Sequence, residues 1–255
     1  MTKIQGILFD FDGTLVDTES QTDQAIADVM CAYQIEKAYL EPFWTRGRTW
    51  DAIAGRLRRV YALDKKQTQD LPEELALCWE KLVAGAPSIP GAVEAIDTAR
   101  FFFKLALVTS SPSRSIEPLM WNLGIHKSIP RDARICAEHV TRSKPDPQGY
   151  RLAAKRLGIS PEACLVFEDS EAGILAAKAA GALTVAVLEK CDVPETCQEL
   201  ADLSIQNFKH LHSAFWSDLA QSTRRASVEV FASALAGFDA TYHETKRVIQ
   251  DSSIL

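Results

Sequence analysis

Apolar runs and helical stripes divide the chain into three regions. Ile7-Leu8-Phe9 is a continuous apolar run that stops at Asp10, the form taken by a short buried strand. After Val16 the spacing lengthens to that of helices. Ile26, Val29, Met30 and Tyr33 share one face, then Ile53, Leu57, Val60 and Tyr61, then Leu75, Cys78, Trp79 and Leu82. Asp17 or Thr18 is placed to cap the first of these helices. No strand-like run lies between Asp17 and Ala86, and Pro87-Ser88-Ile89-Pro90-Gly91 reads as a linker.

From Ala92 onward, helical stretches alternate with apolar strands expected at 105–108, 134–136, 164–167 and 183–187, and glycines at 124, 158 and 181 stop the helices. That alternation predicts an α/β fold: a Rossmann-like, doubly wound parallel sheet with an inserted helical domain. Residues 1–16 and 88–216 are expected to form the α/β core and 17–87 the helical insertion. Residues 217–255 form an extension in which Val228, Phe231, Leu235 and Phe238 keep helical spacing, suited to packing on the core or on a second subunit.

The polar groups at the strand ends carry the chemistry. Asp10 and Asp12 stand two residues apart in extended chain, so both point to one side. Two charges about 4 Å apart repel by roughly 4 kcal/mol at an effective dielectric of 20, so the pair needs a cation or an unequal share of protons. A calcium loop also opens Asp-x-Asp, but it places glycine sixth and glutamate twelfth, whereas glycine is fourth here and follows a strand. Thr109-Ser110-Ser111, Lys144 and Glu168-Asp169 likewise fall just past strand-like runs, at the edge where open α/β sheets bind ligands.

Composition narrows the partners. With 255 residues, 47% of them hydrophobic, the chain is long enough for a core and a smaller second domain. A net charge of −6 and the lack of a basic stripe argue against nucleic acid or an anionic membrane; Arg58-Arg59 and Arg224-Arg225 read as solvated helix faces. Six cysteines form no C-x-x-C and no zinc spacing, which suits free thiols in a reducing, cytoplasmic compartment. Cys191 and Cys197 flank a loop and can approach one another, but free thiols are expected there too. No signal peptide and no apolar run near the ~18 residues of a membrane span is present. A soluble monomer or homodimer is expected.

Asp10-Phe11-Asp12-Gly13-Thr14 after an apolar strand, then Leu105 to Ser111, Lys144-Pro145-Asp146-Pro147 and Leu165 to Gly173, stand in the order of four motifs. Together they resemble the haloacid dehalogenase superfamily of phosphotransferases, over about residues 4–187. The resemblance implies that Asp10 is a nucleophile forming an aspartyl-phosphate and that Asp12 is the acid that protonates the leaving group, then the base that activates water. It implies Mg²⁺ held by Asp10, Asp169 and the backbone carbonyl of Asp12. Phosphate would be bound by Lys144, Thr109 and Ser110 together with backbone amides at 11, 12 and 110. Glu168 and Asp146 would orient ligands or Lys144, or else cap helices.

An aspartate at position 12 sets the chain apart from the dehalogenases, which lack it, and points to a phosphate ester substrate. The helical insertion resembles the cap of the phosphoglycolate phosphatase and β-phosphoglucomutase branch, implying a small-molecule phosphate ester. Thr22 stands where the sugar mutases of that branch carry histidine, which favours hydrolysis over phosphomutase chemistry. Arg46 and Arg48 lie in a cap loop where they meet substrate or, equally, solvate a helix start. A homologue that binds a phosphate ligand or a protein without turnover is the remaining alternative.

Overall fold

The structure is a computed structural model that describes residues 2–40, 42–45 and 48–235. Six strands, β1 (Gly6–Phe9), β2 (Lys104–Val108), β3 (Arg134–Ile135), β4 (Cys164–Glu168), β5 (Leu183–Val187) and β6 (Leu203–Ile205), form one parallel sheet ordered β3-β2-β1-β4-β5-β6. Both faces are covered, which is why the strands read as unbroken apolar runs. Between β1 and β2 come α1 (Glu19–Ala32), α2 (Pro42–Thr45), α3 (Trp50–Val60), α4 (Leu71–Leu82) and α5 (Ala92–Ala99). The later crossovers carry α6 (Ser113–Asn122), α7 (Gln148–Leu157), α8 (Glu171–Ala180) and α9 (Pro194–Leu200), and α10 (Ser213–Gln221) and α11 (Ser227–Leu235) follow β6.

Register places the site. Phe9 in the central strand pairs with Leu107 on one side and Phe167 on the other, so Asp10, Thr109 and Glu168-Asp169 leave the sheet along one edge. Beneath that edge Phe9 stacks on Phe167 at 5.4 Å, and Phe167 meets Phe208 at 5.2 Å. Phe231 of α11 joins the same group through Phe167 and Phe215 and is fully buried. The described part of the extension, residues 217–235, therefore packs on the core, and the expected boundary at 216/217 falls inside α10. Phe238 lies outside the described residues.

The expected strands are present, with β3 ending at Ile135. β6 escaped the reading because three residues centred on Ser204 carry no periodicity that separates strand from loop. Glycines 158 and 181 end α7 and α8 with φ of 66° and 99°, and Gly124 follows α6 at 75°, each a left-handed stop. Thr18 does occupy the first cap position, but its hydroxyl makes no cap bond because it is drawn to Asp12.

The helical segment packs mainly through α1 and α4, around Ile26, Met30, Leu75 and Trp79. Arg114 at the start of α6 ties it to the sheet domain: its guanidinium reaches Glu73 at 2.6 Å and Glu80 at 3.1 Å, both on α4, and Ser115 also donates to Glu80. No described helix is long and apolar enough to cross a membrane.

Where the chain returns from the helical segment, Phe208 N–H donates to the carbonyl of Pro90 at 3.0 Å, drawing the segment after β6 against Gly91. Gly91 has φ of +80°, and a Cβ there would lie 2.6 Å from the backbone of Lys209 and Phe208. A side chain pays about 1–2 kcal/mol for the left-handed conformation before the clash is added. Gly91→Ala is expected to lower the melting temperature by about 5 °C or more. Circular dichroism melts check this; an unchanged melting temperature would contradict the close packing.

Candidate active site

Asp10 follows the last residue of β1 and is held level with β4 by its N–H, which donates to the carbonyl of Phe167 at 3.0 Å. The residue is 4% exposed, and its carboxylate accepts from the ammonium of Lys144. The same ammonium donates to Glu168, which is fully buried and also accepts from the Tyr150 hydroxyl at 2.6 Å and the Ser170 hydroxyl at 3.0 Å. Gly173 makes room for this: a Cβ there would lie 1.8 Å from Oε1 of Glu168, so α8 can begin against the carboxylate only with glycine at that position. Asp169 accepts from the Thr14 hydroxyl at 2.8 Å.

Asp10, Glu168 and Asp169 thus bring carboxylate oxygens within 4.8 Å of one another, all buried. Burial pushes the Asp10 carboxyl well above the usual carboxylate range, Glu168 adds to the rise, and Lys144 only partly opposes it. For Lys144, burial works against the charge, but Asp10 and Glu168 outweigh it and raise its pKa above the ordinary lysine value. Burial, with Glu168 beside it, also pushes the Tyr150 hydroxyl far up, so it stays a donor. Three acids facing one ammonium leave an excess of negative charge, and every donor is a hard oxygen. This set fits a divalent cation of the magnesium class.

Asp12 is held differently. One carboxylate oxygen accepts from Ser111 at 2.8 Å and Thr109 at 3.0 Å, and the other accepts from Thr18 at 3.0 Å. Burial raises its pKa, and the three hydroxyls only moderate the rise. The close repulsion expected between Asp10 and Asp12 is a minor effect: Glu168, brought in by β4, acts on Asp10 most and Asp12 least among the acids.

A cleft of about 30 Å³ opens over these groups, room for no more than a few waters. The sheet edge contributes Asp10, Asp12, Ser110 and Ser111; the helical segment contributes Thr22, Thr45, Arg48, Trp50, Ile53 and Trp79. Trp79 is 1% exposed, sits edge-on to Trp50, and its indole N–H has no hydrogen-bond partner among the described residues. Arg48 lies on the cleft with its guanidinium 4.6 Å from the Trp44 ring centre and its Nε donating to the carbonyl of Trp44. Arg46 lies outside the described residues.

Asp146 departs from the expected support of Lys144: it accepts from the Gln148 N–H at 2.9 Å and pairs with Arg142 at 2.6 Å, the alternative role of fixing the start of α7. The sequence assigns Thr14, Thr18, Tyr150 and Trp79 no place at the site: Thr14 and Tyr150 meet Asp169 and Glu168 only once the chain folds, Thr18 turns from its cap position to Asp12, and Trp79 reaches the cleft only through the placement of α4. Cys136, Glu138 and His139 also cluster, but His139 Nδ1 accepts from a backbone N–H, Glu138 accepts from Ser113 N–H, and burial pushes the Cys136 thiol up to about 12. Their ligand atoms are committed locally.

Comparison with known proteins places the chain in a family. The chain is 32% identical over 183 residues to a phosphorylated carbohydrates phosphatase of Thermotoga maritima, covering 70% of this chain and 82% of that protein. It is 33% identical over 183 residues to a fructose-1-phosphate phosphatase of Escherichia coli, covering 69% of this chain and 92% of that one. In fold it resembles a β-phosphoglucomutase from Clostridium difficile with a TM-score of 0.71, at 20% identity, over 86% of this chain and 97% of that one. Residues 4–181, which contain the whole carboxylate–lysine cluster, match the haloacid dehalogenase-like hydrolases, and the chain belongs to that family.

Proposed function

We propose that this protein is a Mg²⁺-dependent phosphatase acting on a sugar or polyol phosphate through an aspartyl-phosphate on Asp10. The observation that carries the reading is the contrast between two aspartates two residues apart: Asp10 sits against Lys144 among other carboxylates, while Asp12 sits among hydroxyls with its pKa raised. One is equipped to stay ionised once a cation is bound. The other is equipped to carry a proton. The named relatives, phosphatases of phosphorylated carbohydrate and fructose 1-phosphate, support the substrate class.

In this reading the phosphate rests against Lys144 and Ser110, and an Asp10 carboxylate oxygen attacks phosphorus in line. The ester oxygen leaves with the proton of Asp12. Asp12, now a carboxylate, takes a proton from the water that attacks the aspartyl-phosphate, releasing inorganic phosphate and restoring both groups. Thr18, Thr109 and Ser111 hold Asp12 in place through both half-reactions. Mg²⁺ would be held by Asp10, Asp169 and the backbone carbonyl of Asp12, with Glu168 close by, and supplies positive charge where an anion approaches an anion.

Residues 17–87 are assigned as a cap. The cleft in its present form is too small for a hexose phosphate, so the cap must lift for substrate to enter and close to exclude water. Thr22 on the cleft wall, rather than an acid–base histidine, supports transfer of the phosphoryl group to water.

Asp10→Asn keeps the shape of the side chain and removes the nucleophile, so turnover should fall at least about 10³-fold with an unchanged circular dichroism spectrum. Retention of more than a few per cent of the rate contradicts the covalent assignment. Asp12→Ala should lower kcat/KM for an alkyl phosphate by about 10²–10⁴ while largely sparing 4-nitrophenyl phosphate, whose leaving group needs no proton. Because the proton must be on Asp12 for the first step, wild-type kcat/KM with the alkyl ester should fall as pH rises through its raised pKa. Equal losses on both esters, or no alkaline limb, would remove Asp12 from that role.

Among the described residues the buried indole N–H of Trp79 has no acceptor, and in this reading a hydroxylated substrate in the cleft would supply one. Trp79→Phe should therefore lower kcat/KM for a hexose or hexitol phosphate by about 10-fold, the cost of one buried hydrogen bond, with 4-nitrophenyl phosphate changed about twofold or less. A uniform loss on all esters would make Trp79 a packing residue only.

A further inference from the structure

Two sulfurs lie just behind the acid cluster with no part in the chemistry above. Cys191, half-buried in the loop after β5, and Cys197, fully buried on α9, are free thiols with their Sγ atoms 3.2 Å apart. Cys197 is in turn the neighbour of Asp169: its Sγ donates to the backbone carbonyl of Asp169 at 3.5 Å. Its side chain packs in a small cluster with Ile174 of α8 and Ala186 of β5, so it rests under the helix that begins directly after Asp169-Ser170. A disulfide needs an S–S distance of about 2.05 Å, a further approach of roughly 1 Å. The loop between them is short and already folded back, so closing it costs little additional chain entropy.

We propose that Cys191 and Cys197 form an oxidisable dithiol whose closure to a disulfide loosens Asp169 and so raises the Mg²⁺ requirement of the site. The oxidant is a hydroperoxide. The sulfur of the half-buried Cys191, the less enclosed of the two, attacks the distal oxygen, the O–O bond breaks, and the departing alkoxide takes the Cys191 thiol proton and leaves as an alcohol, or as water when the oxidant is hydrogen peroxide. The resulting sulfenic acid is attacked at sulfur by Cys197; hydroxide leaves, takes the Cys197 proton and departs as water, and the S–S bond is complete. Two thiols are oxidised by two electrons and one peroxide is reduced. The proton lost from Cys197 is the one donated to the Asp169 carbonyl, and the sulfur is drawn toward Cys191 and away from α8. The effect on Mg²⁺ rests on the assignment of Asp169 to the cation, whereas formation of the cross-link does not.

The test uses the full chain, reduced or treated with hydrogen peroxide, with remaining thiols alkylated. Non-reducing peptide mapping should find Cys191 linked to Cys197, and dithiothreitol should reverse it. Calorimetric titration should show the oxidised protein binding Mg²⁺ about 3–10-fold more weakly, with the same shift in the Mg²⁺ dependence of phosphate release. Cys191→Ser should keep the activity of the reduced protein and lose the response to peroxide, and Cys197→Ala checks the same point from the other side. Oxidation that yields sulfinic acid or other cysteine pairs overturns the dithiol site. A clean cross-link with unchanged Mg²⁺ binding overturns the coupling, and a protein without phosphatase activity still reports the cross-link.

Discussion

The structure depends on three carboxylates buried at the carboxyl edge of one sheet, with the ammonium of Lys144 between two of them, Asp10 and Glu168. Asp10, Glu168 and Asp169 repel one another, burial penalises their charges, and Lys144 answers only part of the imbalance. Removing one partner from such a group leaves uncompensated buried charge, which is why each member is anchored by further donors. Tyr150 and Ser170 hold Glu168, and Thr14 holds Asp169. The remaining excess of negative charge is what suits the site to a cation, which in the proposed mechanism would receive a phosphate together with Lys144.

The parallel sheet supplies that arrangement through strand order and register. Because β1 lies between β2 and β4 in matched register, three loops distant in sequence end at one level, and each delivers a different function: Asp10 and Asp12, Thr109 to Ser111, and Glu168 with Asp169. Gly173 is the steric condition for the last of these, since any side chain there would occupy the space of the Glu168 carboxylate. The helical segment closes the other side of the cleft and is pinned by Arg114 bridging Glu73 and Glu80. These ion pairs are half-exposed and so contribute modestly, which suits the cap movement proposed above.

Much of this was legible in the residues alone. The strand ending in Asp10-Phe11-Asp12, the serine and threonine run after Val108, Lys144 and Asp169 announce themselves because each motif is local and sits where an apolar run stops. What could not be read depends on contacts between distant segments. Thr18 read as a helix cap, but its hydroxyl turns to Asp12 because that carboxylate is the stronger acceptor within reach. Glu168, not Asp12, is the main repulsive neighbour of Asp10, a fact set by β1–β4 pairing. Asp146 lies two residues from Lys144 in sequence, yet the turn into α7 directs it to Gln148 and Arg142. Trp79 reads as an ordinary apolar position of α4, and only the fold turns it to the cleft.

The central claim is that the buried acid cluster is completed by one divalent cation, and it is tested most directly by titrating Mg²⁺ into metal-stripped protein in a calorimeter. The account predicts one ion per chain, a rise in melting temperature that grows with Mg²⁺ concentration, and loss of both in Asp169→Ala. Full phosphatase turnover in excess chelator, or a titration that shows no binding to a folded protein, would contradict it.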